Sequence, residues 1–99
     1  MNDFVEYEVM FIVDAVLEAE AVKTVVEKFT NLIGENGELV NIDEWGKRKL
    51  AYPINHKLEG YYFIVAFKSA PQFPAELERV FRITDSILRF LVINTDNNK

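Results

Sequence analysis

Apolar residues alternate from Val5 to Val13, with Val5, Tyr7, Val9, Phe11 and Val13 sharing one side of the chain. A period of two predicts a strand. From Glu18 to about Asn36 the period changes, and Val22, Val25, Val26, Phe29, Leu32 and Ile33 recur by threes and fours. That spacing predicts a helix with one apolar stripe, and Asn36-Gly37 predicts a left-handed stop. Leu39 to Tyr52 reads as a long second strand kinked at Gly46, where a missing side chain often marks a bulge. A polar connector, Asn55 to Glu59, leads into a third strand, Gly60 to Lys68. Pro74 fits a first helical turn, and Phe73, Leu77, Val80 and Phe81 supply the stripe of a short second helix. Ser86 to Thr95 reads as the last strand, and Asp96 to Lys99 as a polar tail.

The order strand, helix, strand, strand, helix, strand predicts an α+β fold of the ferredoxin-like split βαβ type. Both helices are expected on one face of a four-stranded antiparallel sheet, leaving the other face open. Residues 1–99 are expected to form a single domain, with the tail at about 96–99 outside the core. Placing Lys68 outward sends Ala66, Ile64 and Tyr62 with it and turns Phe63, Val65 and Phe67 to the helices. Placing Arg89 outward takes Ile87, Leu91 and Ile93 along and leaves Leu88, Phe90 and Val92 for the core. Glu8 outward brings Met10 and Ile12. The open face is then expected to carry an apolar patch of Met10, Ile12, Tyr62, Ile64, Leu91 and Ile93, a candidate partner-binding surface.

Charge changes this picture. Eleven basic and sixteen acidic residues give a net charge of −5, so the chain does not coat polyanions by bulk charge. Against that background Lys47, Arg48 and Lys49 stand together, a local cluster that suggests a specific anionic contact. Arg82 and Arg89 flank the turn into the last strand and are read evenly as solvated charges or phosphate contacts. Trp45, just before the kink, is expected to be a packing anchor.

Other chemistry finds little footing. The chain has no cysteine, which excludes disulfides, thiolate metal sites and cysteine catalysis. The single histidine, His56, lies in a polar turn with no motif tying it to a serine or carboxylate. Asp43 and Glu44 are adjacent on a strand and point to opposite faces. No metal spacing or phosphate loop is present, so no cofactor, metal or catalytic residue is implied. The start carries no basic region before an apolar run, and the apolar runs are too short for a bilayer helix, so a cytoplasmic protein without a signal peptide is expected. Gly60 to Phe67 faintly echoes the aromatic motif of RNA-recognition modules, but Glu59 stands where a cation is expected and the aromatic spacing is off by one residue.

The stretch Trp45-Gly-Lys-Arg-Lys-Leu-Ala-Tyr-Pro-Ile54 resembles the signature of the bS6 family, the sixth protein of the bacterial small ribosomal subunit. The resemblance extends through Tyr7-Glu8, Glu59-Gly60-Tyr61-Tyr62, Leu77-Glu78-Arg79, Arg82-Ile83-Thr84-Asp85 and Leu88 to Val92. It implies a non-enzymatic component of the 30S subunit that binds the central domain of 16S ribosomal RNA together with the eighteenth small-subunit protein, bS18. By position, Arg48 and Lys49 fall on the family's basic pair, and Arg82 and Arg89 on its later arginines. The start departs from the family, whose members often carry a basic residue after the initiator methionine, whereas Asn2-Asp3-Phe4-Val5-Glu6 is longer and acidic. Expected rRNA-binding residues are Lys47, Arg48, Lys49, Arg82 and Arg89; expected partner-binding residues are Met10, Ile12, Tyr62, Ile64 and Leu91. The alternatives are a general single-strand RNA-binding module acting through Tyr62 and its neighbours, and a ferredoxin-like regulatory domain that dimerises through its sheet.

Overall fold

A computed structural model describes residues 4–54 and 57–95. His56, Asn55, the first three residues and the tail at 96–99 lie outside the described residues. The elements are β1 (Val5–Asp14), α1 (Ala19–Asn36), β2 (Gly37–Ile54), β3 (Lys57–Ser69), α2 (Phe73–Arg82) and β4 (Ile87–Asn94). The strands form one sheet in the order β2-β3-β1-β4, antiparallel throughout, so β1 and β3 are central. This is the ferredoxin-like arrangement that the periodicity predicts.

Both helices lie on one face of the sheet, and the core between them is aromatic. Phe81 of α2 is its hub: its ring stacks on Phe29 of α1 at 4.0 Å and on Phe90 of β4 at 5.3 Å, and lies 5.0 Å from Phe11 of β1. Val9, Phe11 and Val13 of β1 alternate into this core with Phe63, Val65 and Phe67 of β3, all buried. Phe63 and Phe67 face the helices, so they cannot serve as an open base-stacking platform on the sheet.

Three local features depart from the simple period. The end of α1 is not a left-handed stop: Gly37 sits at φ −176°, extended backbone leading straight into β2. Its glycine is required by space instead, because a Cβ there would run into the Lys68 carbonyl of β3. In β4 a bulge lies opposite Ile12 and Val13, with Arg89 paired to Ile12 and Ile87 to Val13. The extra residue, Leu88, absorbs one position, so Ile87 packs against the helix-side core rather than pointing outward. A one-residue slip exchanges faces, which is why strict alternation placed Ile87 and Leu88 wrongly. Finally, β3 starts at Lys57, earlier than Gly60, because Lys57 pairs with Ile54 and prolongs the β2–β3 hairpin.

Candidate nucleic-acid interface

β2 is an edge strand of eighteen residues, and Leu50 is its only buried side chain. Its kink falls at Gly46, whose φ of +81° lies in the left-handed region that glycine adopts without strain. The ladder passes from Glu44 opposite Phe63 to Gly46 opposite Tyr62, leaving Trp45 as the extra residue of a bulge. Trp45 is therefore not a packing anchor; it is 47% exposed. Its indole Nε1 donates to Asp43 Oδ2 at 3.1 Å, the Arg48 guanidinium lies over its ring at 5.8 Å, and Arg48 Nε donates to its carbonyl oxygen at 3.1 Å.

Beyond the bulge come the three cations. Lys47 is opposite Tyr61, Arg48 opposite Gly60 and Lys49 opposite Glu59. Tyr61 packs against the helix-side core, so by strand alternation Lys47 and Lys49 share that side while Arg48 takes the open side. The basic run thus straddles the edge rather than covering one face.

The hairpin then curls over the open face. Leu50, Ala51, Tyr52 and Ile54 border a hollow of about 170 Å³ with Met10, Ile12, Tyr62 and Arg89. Leu50 is 7% exposed and Ile12 only 3%. Gly60 assists, since a Cβ there would collide with Ile12 Cγ2 and approach the Leu88 side chain. Ile12 therefore drops out of the open apolar surface: the hairpin covers it. Met10, Tyr62 and Ile64 remain half-buried, and Leu91 and Ile93 are exposed at the β4 edge. Over the hollow, the Arg89 guanidinium sits 5.4 Å from the Tyr52 ring centre.

One row of the sheet joins these parts: Gly46, Tyr62, Ile12 and Arg89 are successive partners across β2, β3, β1 and β4. Arg82 closes α2 just before β4 begins, with its guanidinium 6.0 Å from the Phe90 ring, and it borders a hollow of about 430 Å³ at the β4 edge together with Arg89. All five cations singled out in the sequence hence lie toward the same end of the sheet, although on both of its faces.

Ion pairing divides the cations of the described residues, with Lys23 and Lys28 of α1 also outside any carboxylate pair. Lys57 pairs with Asp14, Lys68 with Glu6, and Arg79 with Glu76 through two hydrogen bonds, and those bonds hold the Glu76 carboxyl below its ordinary range. Arg82 reaches Glu78 at 4.0 Å. Among the described residues, Lys47, Arg48, Lys49 and Arg89 have no carboxylate partner. Uncompensated cations beside exposed aromatic rings suit an anionic ligand with flat faces. Sequence reasoning missed Tyr52 and the exposure of Trp45. An aromatic residue followed by a glycine-centred bulge was the available signal for Trp45; Tyr52 had none, because its pairing depends on the curl of the hairpin.

The family model described as "Ribosomal protein S6" matches residues 6–94. The chain is 54% identical to small ribosomal subunit protein bS6 of Clostridium novyi over 91 residues, covering 91% of this chain and 96% of that one. It is also 54% identical to bS6 of Caldanaerobacter subterraneus subsp. tengcongensis over 92 residues, covering 92% and 97%. The crystal structure of 30S ribosomal protein S6 from Thermotoga maritima superposes with a TM-score of 0.88 at 31% identity, covering 92% of this chain and 87% of that one.

Proposed function

The chain belongs to the ribosomal protein S6 family, and from that premise we propose that its cationic hairpin end grips the central domain of 16S ribosomal RNA while its open sheet face docks bS18. It is a structural constituent of the cytoplasmic small ribosomal subunit, not an enzyme. The observation that carries the RNA reading is the cluster of Lys47, Arg48, Lys49 and Arg89, which have no carboxylate partner among the described residues, where the other arginines have one. Cations without a carboxylate partner keep their charge available for phosphates. Arg82, loosely shared with Glu78, is a secondary contact.

The charge balance supports a joint mechanism. At −5 the protein repels RNA at long range, so a basic partner is needed to reverse the field. Met10, Tyr62, Ile64 and Leu91 offer that partner apolar surface, with Ile12 supporting it from beneath the hairpin rather than touching the partner. Burial of such surface contributes roughly 25 cal/mol per Å² before association costs.

One titration tests both contacts: bS18 and a central-domain 16S rRNA transcript are added to Arg48→Ala/Lys49→Ala and, separately, to Ile64→Glu. The double variant should keep its fold, with a stability change within about 0.5 kcal/mol. Its RNA affinity should weaken, and the logarithmic salt dependence should flatten by roughly two units, about one per lost phosphate contact. Ile64→Glu should lose bS18 binding and, with it, RNA binding by the mixture. Normal assembly of a folded Ile64→Glu protein would remove the open face as the docking site, and an unchanged salt slope would remove the hairpin cations as phosphate contacts.

A further inference from the structure

Trp45 and Tyr52 stand on the two sides of the basic run, each exposed by about half and each beneath a guanidinium: Trp45 under Arg48 at 5.8 Å, Tyr52 under Arg89 at 5.4 Å. Neither ring belongs to the helix-side core. An exposed aromatic side chain ordinarily loses rotamer freedom when it binds a ligand. Here much of that ordering is already present, because the Trp45 indole is fixed by its hydrogen bond to Asp43 as well as by Arg48. A guanidinium on one face leaves the other face and the ring edge open, and it places a phosphate-seeking charge within reach of the same nucleotide.

We propose that Trp45 and Tyr52 are stacking platforms for unpaired nucleobases, so that the hairpin end holds a single-stranded RNA segment, with bases on the rings and phosphates on the cations between them. This deepens the RNA reading above and rests on it. A paired helix cannot fill this site, because its bases are already stacked and its deep major groove is closed to side chains. An apolar protein surface would leave Lys47, Lys49 and the two guanidinium groups desolvated without counter-charge. The arrangement also differs from the RNA-recognition module, since the stacking rings lie on the hairpin and not on the central strands, whose Phe63 and Phe67 are buried.

Trp45 is the only tryptophan, so its emission reports directly on stacking. The intact protein, alone and in complex with bS18, is titrated with a ten-nucleotide unpaired RNA strand, with an abasic strand of equal charge, and with a duplex of the same length, and the complex decides the outcome because the free chain is acidic. The base-bearing strand should quench Trp45 emission and bind more tightly than the abasic one. Trp45→Leu and Tyr52→Leu should each weaken binding of that strand by roughly 5- to 100-fold, the range expected for one stacked base, without altering the salt slope. Trp45→Phe should recover most of the affinity. Equal binding of base-bearing and abasic strands, absence of quenching, or a preference for the duplex would overturn the proposal. Arg48→Ala/Lys49→Ala serves as the discriminating arm. If it flattens the salt slope while the aromatic variants bind normally, stacking fails alone; if it leaves the slope unchanged, the phosphate reading fails as well.

Discussion

β1 and β2 flank the same strand, β3, and meet it in the same antiparallel geometry, yet they use their side chains in opposite ways. β1 lies at the centre and buries Tyr7, Val9, Phe11 and Val13 against the helices, with Ile12 buried on the other face. β2 is nearly twice as long and buries only Leu50. Packing explains why β1 has the residues it has. It explains almost nothing about β2, which is held by a ladder to β3 that shifts register at three places and by one buried leucine. Side chains that do not contribute to the core are free to meet a ligand, and the cations and exposed rings are found on this strand. The molecule keeps stability and recognition on different strands of one sheet.

The sharpest test of that division is the hub of the core. Phe81→Ala removes a ring that is 1% exposed and in contact with three other phenylalanines, so denaturant unfolding should show a loss of about 3–5 kcal/mol. The share of the RNA salt dependence carried by Lys47, Arg48 and Lys49, measured on the remaining folded protein, should not move, because the ring partners of Phe81 lie in α1, β1 and β4 and not in β2. A changed slope would mean that the two regions are coupled and the division is wrong.

Leu50→Ala should have an intermediate effect on the other side of the comparison. The side chain is buried, but at the rim, where the hairpin can relax into the space left behind, so a loss near the low end for such truncations is expected, about 2 kcal/mol. Unlike Phe81→Ala, it should also expose Ile12 and free Tyr52 from Arg89, seen as faster amide exchange in residues 50–54. Loss of stability with no change in exchange would show that Leu50 anchors nothing beyond itself.

These contrasts also explain what the sequence could disclose. Alternation in β1 and β3, the stripes of Phe29 and Phe81, and Pro74 in the first turn of α2 made the ferredoxin-like fold legible, because each is a local pattern with a single geometric reading. Ile87 and Leu88 were misread because the β4 bulge shifts the period by one residue without leaving a strong local mark; the β2 bulge was legible at Gly46, but not that it leaves Trp45 exposed. Ile12 was misread for a different reason. Its cover comes from Leu50, far along the chain, and only the curl of the hairpin brings the two together. The cations were legible as a run; their straddling of the edge and their lack of carboxylate partners were not, since both depend on cross-strand register.

The smallest effect is expected at Gly46, where the two strands' requirements meet. No atom lies within 4 Å of the position a Cβ would take, so Gly46→Ala costs nothing in crowding. What remains is the backbone: at φ +81° an L side chain is strained, and the loss should be on the order of 1 kcal/mol. The chain has a way to avoid that strain, which is to move or erase the bulge. A bulge erased by one residue would exchange the faces of Lys47, Arg48 and Lys49 and detach Arg48 from Trp45, while leaving the core pairs of β1 and β3 as they are. Gly46→Ala should therefore cost little in denaturant unfolding but shift Trp45 emission and weaken RNA binding more than its stability loss accounts for. Gly34→Ala is a useful control, since Gly34 lies within α1 with equally open space and no positive φ. It should be neutral or slightly stabilising and leave Trp45 emission unchanged. If Gly46→Ala behaves like Gly34→Ala in all three measurements, the bulge does not set the direction of the cations, and β2 presents them by some other means.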